Sequence, residues 1–268
     1  MSREGTTSFV QLLRERRSRD AIYHAASYWD SRARARQGLA RSIWPSNAFN
    51  ALWDERQREV LVRSLGSLSG RRFVDIGCGT GRMTRFFYEA GAAEAVGVDF
   101  SDATVEAARV EQGEAIERGA PMRFVVGNVL DRLDHVGAGA FDDAVILGCF
   151  SVACRSKADL YAAFRNVASL VRGGGRVTVF EPIHRSPLLR RVLDLGIEDW
   201  IAAANRAGLV LGGADRMGFA PVRLALSVRE LPPPLLKVPF NLGERVLDRA
   251  PWLAPLADYK LLWFLRAT

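Results

Sequence analysis

The chain has 268 residues, 49% of them hydrophobic, which is enough for a full core and argues against disorder. Its formal charge is +7, from 37 Lys and Arg against 30 Asp and Glu. No run approaches the roughly 18 apolar residues of a membrane-spanning helix. Arg14, Arg16, Arg17 and Arg19 also interrupt the N-terminus too soon for a signal peptide.

Cys78, Cys149 and Cys154 are the only cysteines, an odd number without C-x-x-C spacing. A disulfide framework and a zinc site are therefore not expected, and a reducing cytoplasm is. His24, His135 and His184 form no metal motif, so no metal is expected. Lys157, Lys237 and Lys260 are the only lysines, and an arginine bias of this kind does not by itself predict nucleic acid. Residues 1–42 carry nine arginines against Glu4, Glu15, Asp20 and Asp30, so they hold +5 of the +7. Such a segment could touch an anionic surface, or be a solvated helix face.

Residues 8–66 read as helices, with Phe9, Leu12 and Leu13 opening one apolar run. Leu52, Trp53, Val60, Leu61 and Leu65 form another, and Pro45 divides the two. From Arg72 the pattern alternates. "RFVDIG" predicts a strand, "RMTRFFYEAGA" a helix and "EAVGVDF" a second strand. A helix capped by Ser101 or Asp102 follows. "MRFVVGN" and "DDAVILGCF" are the third and fourth strands, "KADLYAAFRNVASLV" a helix, and "GRVTVFEP" the fifth strand, entered through a turn at Gly173–Gly175. Helices are predicted near 187–195 and 198–207, then a strand-like stretch over 209–227. Pro232, Pro233 and Pro234 precede an amphipathic helix over 235–250 and a closing strand from Asp258. Short apolar strands alternating with helices imply a doubly wound, mostly parallel sheet.

The first strand ends in "VDIGCGTGR", with Gly77, Gly79 and Gly81 at every second position. Ligands of open parallel sheets bind at the carboxyl ends of the strands, and glycines there let a ligand approach the main chain. A nicotinamide or flavin dinucleotide calls for G-x-G-x-x-G, but Arg82 stands where the third glycine belongs.

The stretch resembles motif I of the class I S-adenosylmethionine-dependent methyltransferases, an apolar strand, an acidic residue and G-x-G-x-G. The resemblance covers about residues 72–182 and implies a seven-stranded Rossmann-like sheet with S-adenosylmethionine as cofactor. Asp75 would serve the cofactor's amino group, with Gly77, Cys78, Gly79 and Gly81 forming the loop. Asp99 would take the ribose hydroxyls beside Phe100. Asn128, where the family more often has Asp, would take the adenine amine beside Val129. "HAASYWDSRARA" resembles the lead-in of small-molecule members, in which Tyr28 and Trp29 would close over the cofactor.

The expected organisation is a helical lid or cap over residues 1–66 and a core over 67–268, with a helical insert at about 231–256. That insert could cover a lipophilic acceptor, rest on a membrane face or complete the core. "LGCFSVACRS" lacks the [D/N]-P-P-[F/Y] motif of methylases acting on planar nitrogens. His184, just past the fifth strand, is the candidate base. The expected activity is methylation, favouring oxygen, of a small apolar acceptor such as a quinone precursor, lipid, lipid-linked sugar or secondary metabolite. RNA methylation and a non-catalytic cofactor-binding partner protein are the alternatives. Oligomeric state has no signal in the sequence.

Overall fold

The computed structural model describes residues 23, 25–35, 44, 46–186, 189–227 and 230–268. The predicted run at Phe9, Leu12 and Leu13, most of the basic leader, His24 and Pro45 lie outside these residues. Helix α1 spans Ala26–Ala35 and α2 spans Asn47–Leu65. Ser46 starts α2 by accepting from the Phe49 N–H at 3.1 Å, and Gly66, at φ 71°, ends it.

The alternating unit follows in chain order: β1 Arg72–Ile76, α3 Arg82–Glu89, β2 Glu94–Asp99, α4 Asp102–Glu117, β3 Met122–Val126, the single turn α5 Asp134–Gly137, and β4 Phe141–Leu147. Next come α6 Phe150–Ala153, α7 Lys157–Leu170, β5 Val171–Glu181, α8 Ile197–Arg206, β6 Leu209–Phe219, α9 Ala220–Leu226, α10 Pro233–Arg249, a 3-10 turn at Pro251–Leu256, and β7 Ala257–Arg266. The sheet order is β3-β2-β1-β4-β5-β7-β6. Its first five strands pair in parallel, and β7 runs antiparallel to both β5 and β6. Strand order reverses between β1 and β4, and this switch point opens a crevice above the β1 glycines.

Side chains alternate across each strand and build two cores. Phe73, Val145 and Phe180 face a layer with Trp53, Leu61 and Phe87, whereas Val74, Ile146 and Val179 face Phe164 and Trp200. Phe73 and Phe87 stack with centroids 4.5 Å apart. Helix α2 is part of the first core, since Phe49, Trp53, Val60 and Leu61 are fully buried. Helix α10 also contributes one face to it, through Leu236 and Phe240. Its other face leaves Leu235, Val238 and Leu242 exposed. Among the described residues no helix is long and apolar enough to cross a membrane.

Three predicted elements differ from the structure. No helix forms over the described residues 189–195, because the Val192 and Leu193 N–H groups both donate to the Ser151 carbonyl at 3.0 Å. That contact pins the segment as a loop over α6. The strand-like stretch from 209 stops at Phe219, opposite Ala257, and turns helical where Pro221 can neither donate to a ladder nor disturb a first helical turn. The sheet pairing of β5 begins at Val171, earlier than expected. Its register then jumps from Phe141↔Val171 to Asp143↔Arg176, so Gly173–Gly175 form a bulge.

At the amino end of the sheet, Asp143 is fully buried between Arg71 at 2.6 Å and Arg176 at 2.8 Å. Removing it leaves Arg176, itself only 11% exposed, without its counter-charge. Asp143→Ala is expected to destabilise the fold by about 3 kcal/mol, read as a lower denaturation midpoint with an unchanged slope.

Candidate active site

Two neighbouring cavities lie at the switch point, sharing Tyr23, Trp29, Gly77, Gly79, Leu147 and Gly148 among their linings. The larger is about 430 Å³, within the range of small-molecule and cofactor sites. The smaller is about 110 Å³ and reaches from Asp75 to Arg191 and Tyr259.

The glycine loop forms the floor. Gly77, Gly79 and Gly81 have φ of 74°, 56° and 80°, in the region closed to most side chains. A Cβ on Gly77 would stand 2.6 Å from the Cys149 Cβ, so the two strand ends meet too closely for anything but glycine. Gly81 lines neither cavity and caps α3, where a Cβ would strike Phe124 at 2.6 Å.

Asp99, at the end of β2, lines the larger cavity with Phe100. Its Oδ2 accepts from the Gly79 N–H and its Oδ1 from the Ser101 N–H, each at 3.1 Å, so the carboxylate is held rigidly with lone pairs to spare. Burial raises its pKa, and hydrogen bonds from the loop oppose that. Asn128 and Val129 line the same cavity. The Asn128 Oδ1 accepts from the Leu130 N–H at 3.0 Å and keeps one lone pair.

Asp75 lies in the smaller cavity, 2% exposed, and accepts from the Thr84 hydroxyl at 2.8 Å. Burial pushes its pKa up to about 7, against the pull of Thr84. Cys78 lines the smaller cavity only, and burial keeps its thiol protonated.

Trp29 of α1 lines both cavities, with its indole N–H donating to the Tyr23 carbonyl at 2.7 Å. Asp30 hydrogen-bonds Ser101, fastening α1 to the start of α4. Tyr28 lines neither cavity; it packs edge-on against Trp29, with centroids 5.1 Å apart.

His184 is not brought to the site. It is 8% exposed, lines neither cavity, and its Nε2 lies 2.9 Å from the Asp258 carbonyl and 3.3 Å from the Lys260 Nζ. Burial and the Lys260 charge push its pKa down to about 4, so it stays neutral. The expectation that it faces the acceptor therefore fails, because β7 packs over it.

Glu181 ends β5 fully buried and ties down the wall after β4. It accepts from the Cys149 and Phe150 N–H groups at 2.7 and 2.9 Å. Tyr23, Gly148, Arg191 and Tyr259 were not singled out from the sequence. A Cβ on Gly148 would come within 3.1 Å of the Tyr259 hydroxyl, so that hydroxyl stands directly over the end of β4.

The family model described as a methyltransferase domain matches residues 73–175. A ubiquinone biosynthesis O-methyltransferase of Methylococcus capsulatus is 30% identical over 232 residues, covering 74% of this chain and 83% of the relative. The chain belongs to the class I S-adenosylmethionine-dependent methyltransferases. A further ubiquinone biosynthesis O-methyltransferase, of Bordetella avium, is 27% identical to this methyltransferase over 74% of its chain and 81% of the relative. The fold is similar to that of magnesium protoporphyrin IX methyltransferase from Synechocystis PCC 6803, solved with bound SAH. The TM-score is 0.59 and identity 14%, covering 91% of this chain and 96% of that one. At that identity the likeness is one of fold.

S-adenosylmethionine is thus the cofactor of this enzyme. The bare glycine floor, a half-buried carboxylate with free lone pairs and a cavity of about 430 Å³ are what a nucleoside joined to an amino acid needs.

Proposed function

We propose that this methyltransferase methylates an oxygen of a small acceptor, a quinone precursor as the ubiquinone biosynthesis names of its relatives suggest, or a secondary metabolite. The observation that carries the reading is a small chamber adjoining the larger cavity at Gly77, Gly79 and Gly148, with Asn128 outside its lining. A chamber of about 110 Å³ suits one compact group and not a nucleic-acid strand.

The cofactor supplies a methyl already activated on a sulfonium, so the protein's work is chiefly to position and to exclude water. In this reading Asp99 holds the ribose hydroxyls, Asn128 and Val129 bound the adenine end, and Asp75 faces the amino group. Trp29, braced by Tyr28 and fastened through Asp30, closes the cleft as a lid. The lid is then α1, while α2 belongs with the core of residues 67–268, whose insert is α10 and the 3-10 turn. A peripheral membrane contact would use the outer stripe of Leu235, Val238 and Leu242, and vesicle co-sedimentation tests it.

Asp75 gives a pH signature. Its pKa of about 7 lies above the ordinary carboxylate value, so below that pH the free protein holds it protonated. A cationic amino group favours the carboxylate, so binding tightens as pH rises through 7. The S-adenosylhomocysteine dissociation constant is expected to fall about fivefold between about pH 6 and 7 and to stay flat in Asp75→Asn, measured by calorimetry.

The test of function uses methyl-labelled S-adenosylmethionine, purified protein and a fractionated cell extract, with Asp99→Ala as control. Label in an extractable small molecule, absent with the variant, is expected. Variant-sensitive label in RNA would replace the reading with RNA methylation. No variant-sensitive label, with the cofactor still bound, would favour a non-catalytic partner role.

A further inference from the structure

The smaller chamber is unusually rich in positive charge. Arg32, Arg82 and Arg191 all line it. Arg82 is committed to α2, through an ion pair with Asp54 and a hydrogen bond to the Gln57 Oε1 at 3.0 Å. Arg191 is not committed in this way. Its guanidinium lies over the Trp44 ring, 4.2 Å from the centroid, and among the described residues no carboxylate forms an ion pair with it. The acid whose field reaches it, Asp258, is held by Arg223 at 2.5 Å. The Tyr259 hydroxyl stands beside it, over Gly148. The acid that lines the chamber, Asp75, is engaged by the Thr84 hydroxyl at 2.8 Å and forms no ion pair with Arg191.

A guanidinium stacked on an indole is held in one plane, with its N–H edge left to form paired hydrogen bonds. That edge matches the two oxygens of a carboxylate or phosphate. Leu147, Val152 and Met83 complete the chamber and give the carbon frame of a ligand something apolar to lie against.

We propose that the methyl acceptor carries an oxyanionic group, a carboxylate or a phosphate ester, which Arg191 and Tyr259 hold in this chamber. The inference rests on the proposed function, in which the larger cavity takes the cofactor's nucleoside, its amino acid end lies beside Asp75 at the shared glycine floor, and the acceptor enters the Arg191 end of the smaller chamber. It narrows the acceptor from apolar to amphiphilic: a compact charged head at Arg191 with an apolar body. Arg191 is then a specificity-determining residue, distant in sequence from every motif.

The test is calorimetric titration of the S-adenosylhomocysteine complex with benzoate, phenyl phosphate and the neutral benzamide. The wild-type complex is expected to bind an anionic probe at least tenfold more tightly than benzamide. A stronger response to benzoate or to phenyl phosphate identifies which oxyanion fits. Arg191→Met should bring the anions to within about twofold of benzamide, with S-adenosylhomocysteine affinity within threefold of wild type. Arg191→Lys should keep part of the preference, which a purely structural role would not produce. Equal binding of anionic and neutral probes by the wild type, including no binding of either, overturns the proposal without need of a variant. So does an anion preference that survives in Arg191→Met. Failure of S-adenosylhomocysteine itself to bind would overturn the cofactor reading instead, so the two failures are separable.

Discussion

Asp99→Ala is expected to weaken S-adenosylmethionine binding about 100-fold. In the free protein the carboxylate accepts from Gly79 and Ser101, each at 3.1 Å, and so fixes both the glycine loop and the start of α4. Alanine leaves those two N–H groups without acceptors and removes the partner proposed for the ribose. A hydrogen bond to a charged group contributes about 1.5–3 kcal/mol, and about 2.7 kcal/mol corresponds to 100-fold. Asp99→Asn keeps one carbonyl oxygen but turns the other atom into a donor facing a backbone N–H, so an intermediate loss is expected. Calorimetry on all three proteins checks the order. Binding by Asp99→Ala within threefold of wild type would remove Asp99 from the site.

Gly77→Ala is expected to cost at least about 3 kcal/mol, as lost stability and lost cofactor binding together. Two independent causes meet here. The residue sits at φ 74°, where a Cβ costs roughly 1–2 kcal/mol. That Cβ would also stand 2.6 Å from the Cys149 Cβ. Because the two causes are separable, a second change can remove one. In Gly77→Ala with Cys149→Gly the steric part disappears, and only the backbone strain should remain, plus the cost of a glycine at position 149. Melting temperatures of the two single variants and the double variant measure the coupling. A strictly additive cycle would mean that contact between the β1 and β4 ends is not what demands glycine at position 77.

These two positions also mark what the sequence made legible. Asp75, the glycines and Asp99 lie within about 25 residues, on a strand–loop–helix–strand unit whose geometry follows from local pattern. Their nearness in space is nearly their nearness in sequence. The five parallel strands were readable for the same reason, since buried apolar strands and capped helices alternate without interruption.

The acceptor side was not readable, because its residues converge from afar. Arg191 lies in a loop that mimics a helix in sequence and is held open by Ser151. Tyr259 belongs to a closing strand whose antiparallel pairing brings it over β4, more than 100 residues earlier. The same pairing explains the error at His184. A histidine just past a strand end normally looks outward, but β7 covers it and engages its Nε2. Tyr28 and Trp29 show the limit of reading a dipeptide: adjacent helix positions face different ways, so Trp29 reaches the cavities and Tyr28 supports it from behind. A pattern of residue types cannot choose between them, whereas the helix's docking through Asp30 does.

The most direct measurement is a crystal structure of the S-adenosylhomocysteine complex. The ribose hydroxyls are expected on Asp99, the amino acid end over Gly77–Gly79 beside Asp75, and the sulfur facing Arg191 and Tyr259. A ligand seated elsewhere, or bound with its sulfur turned away from those two residues, would contradict this placement.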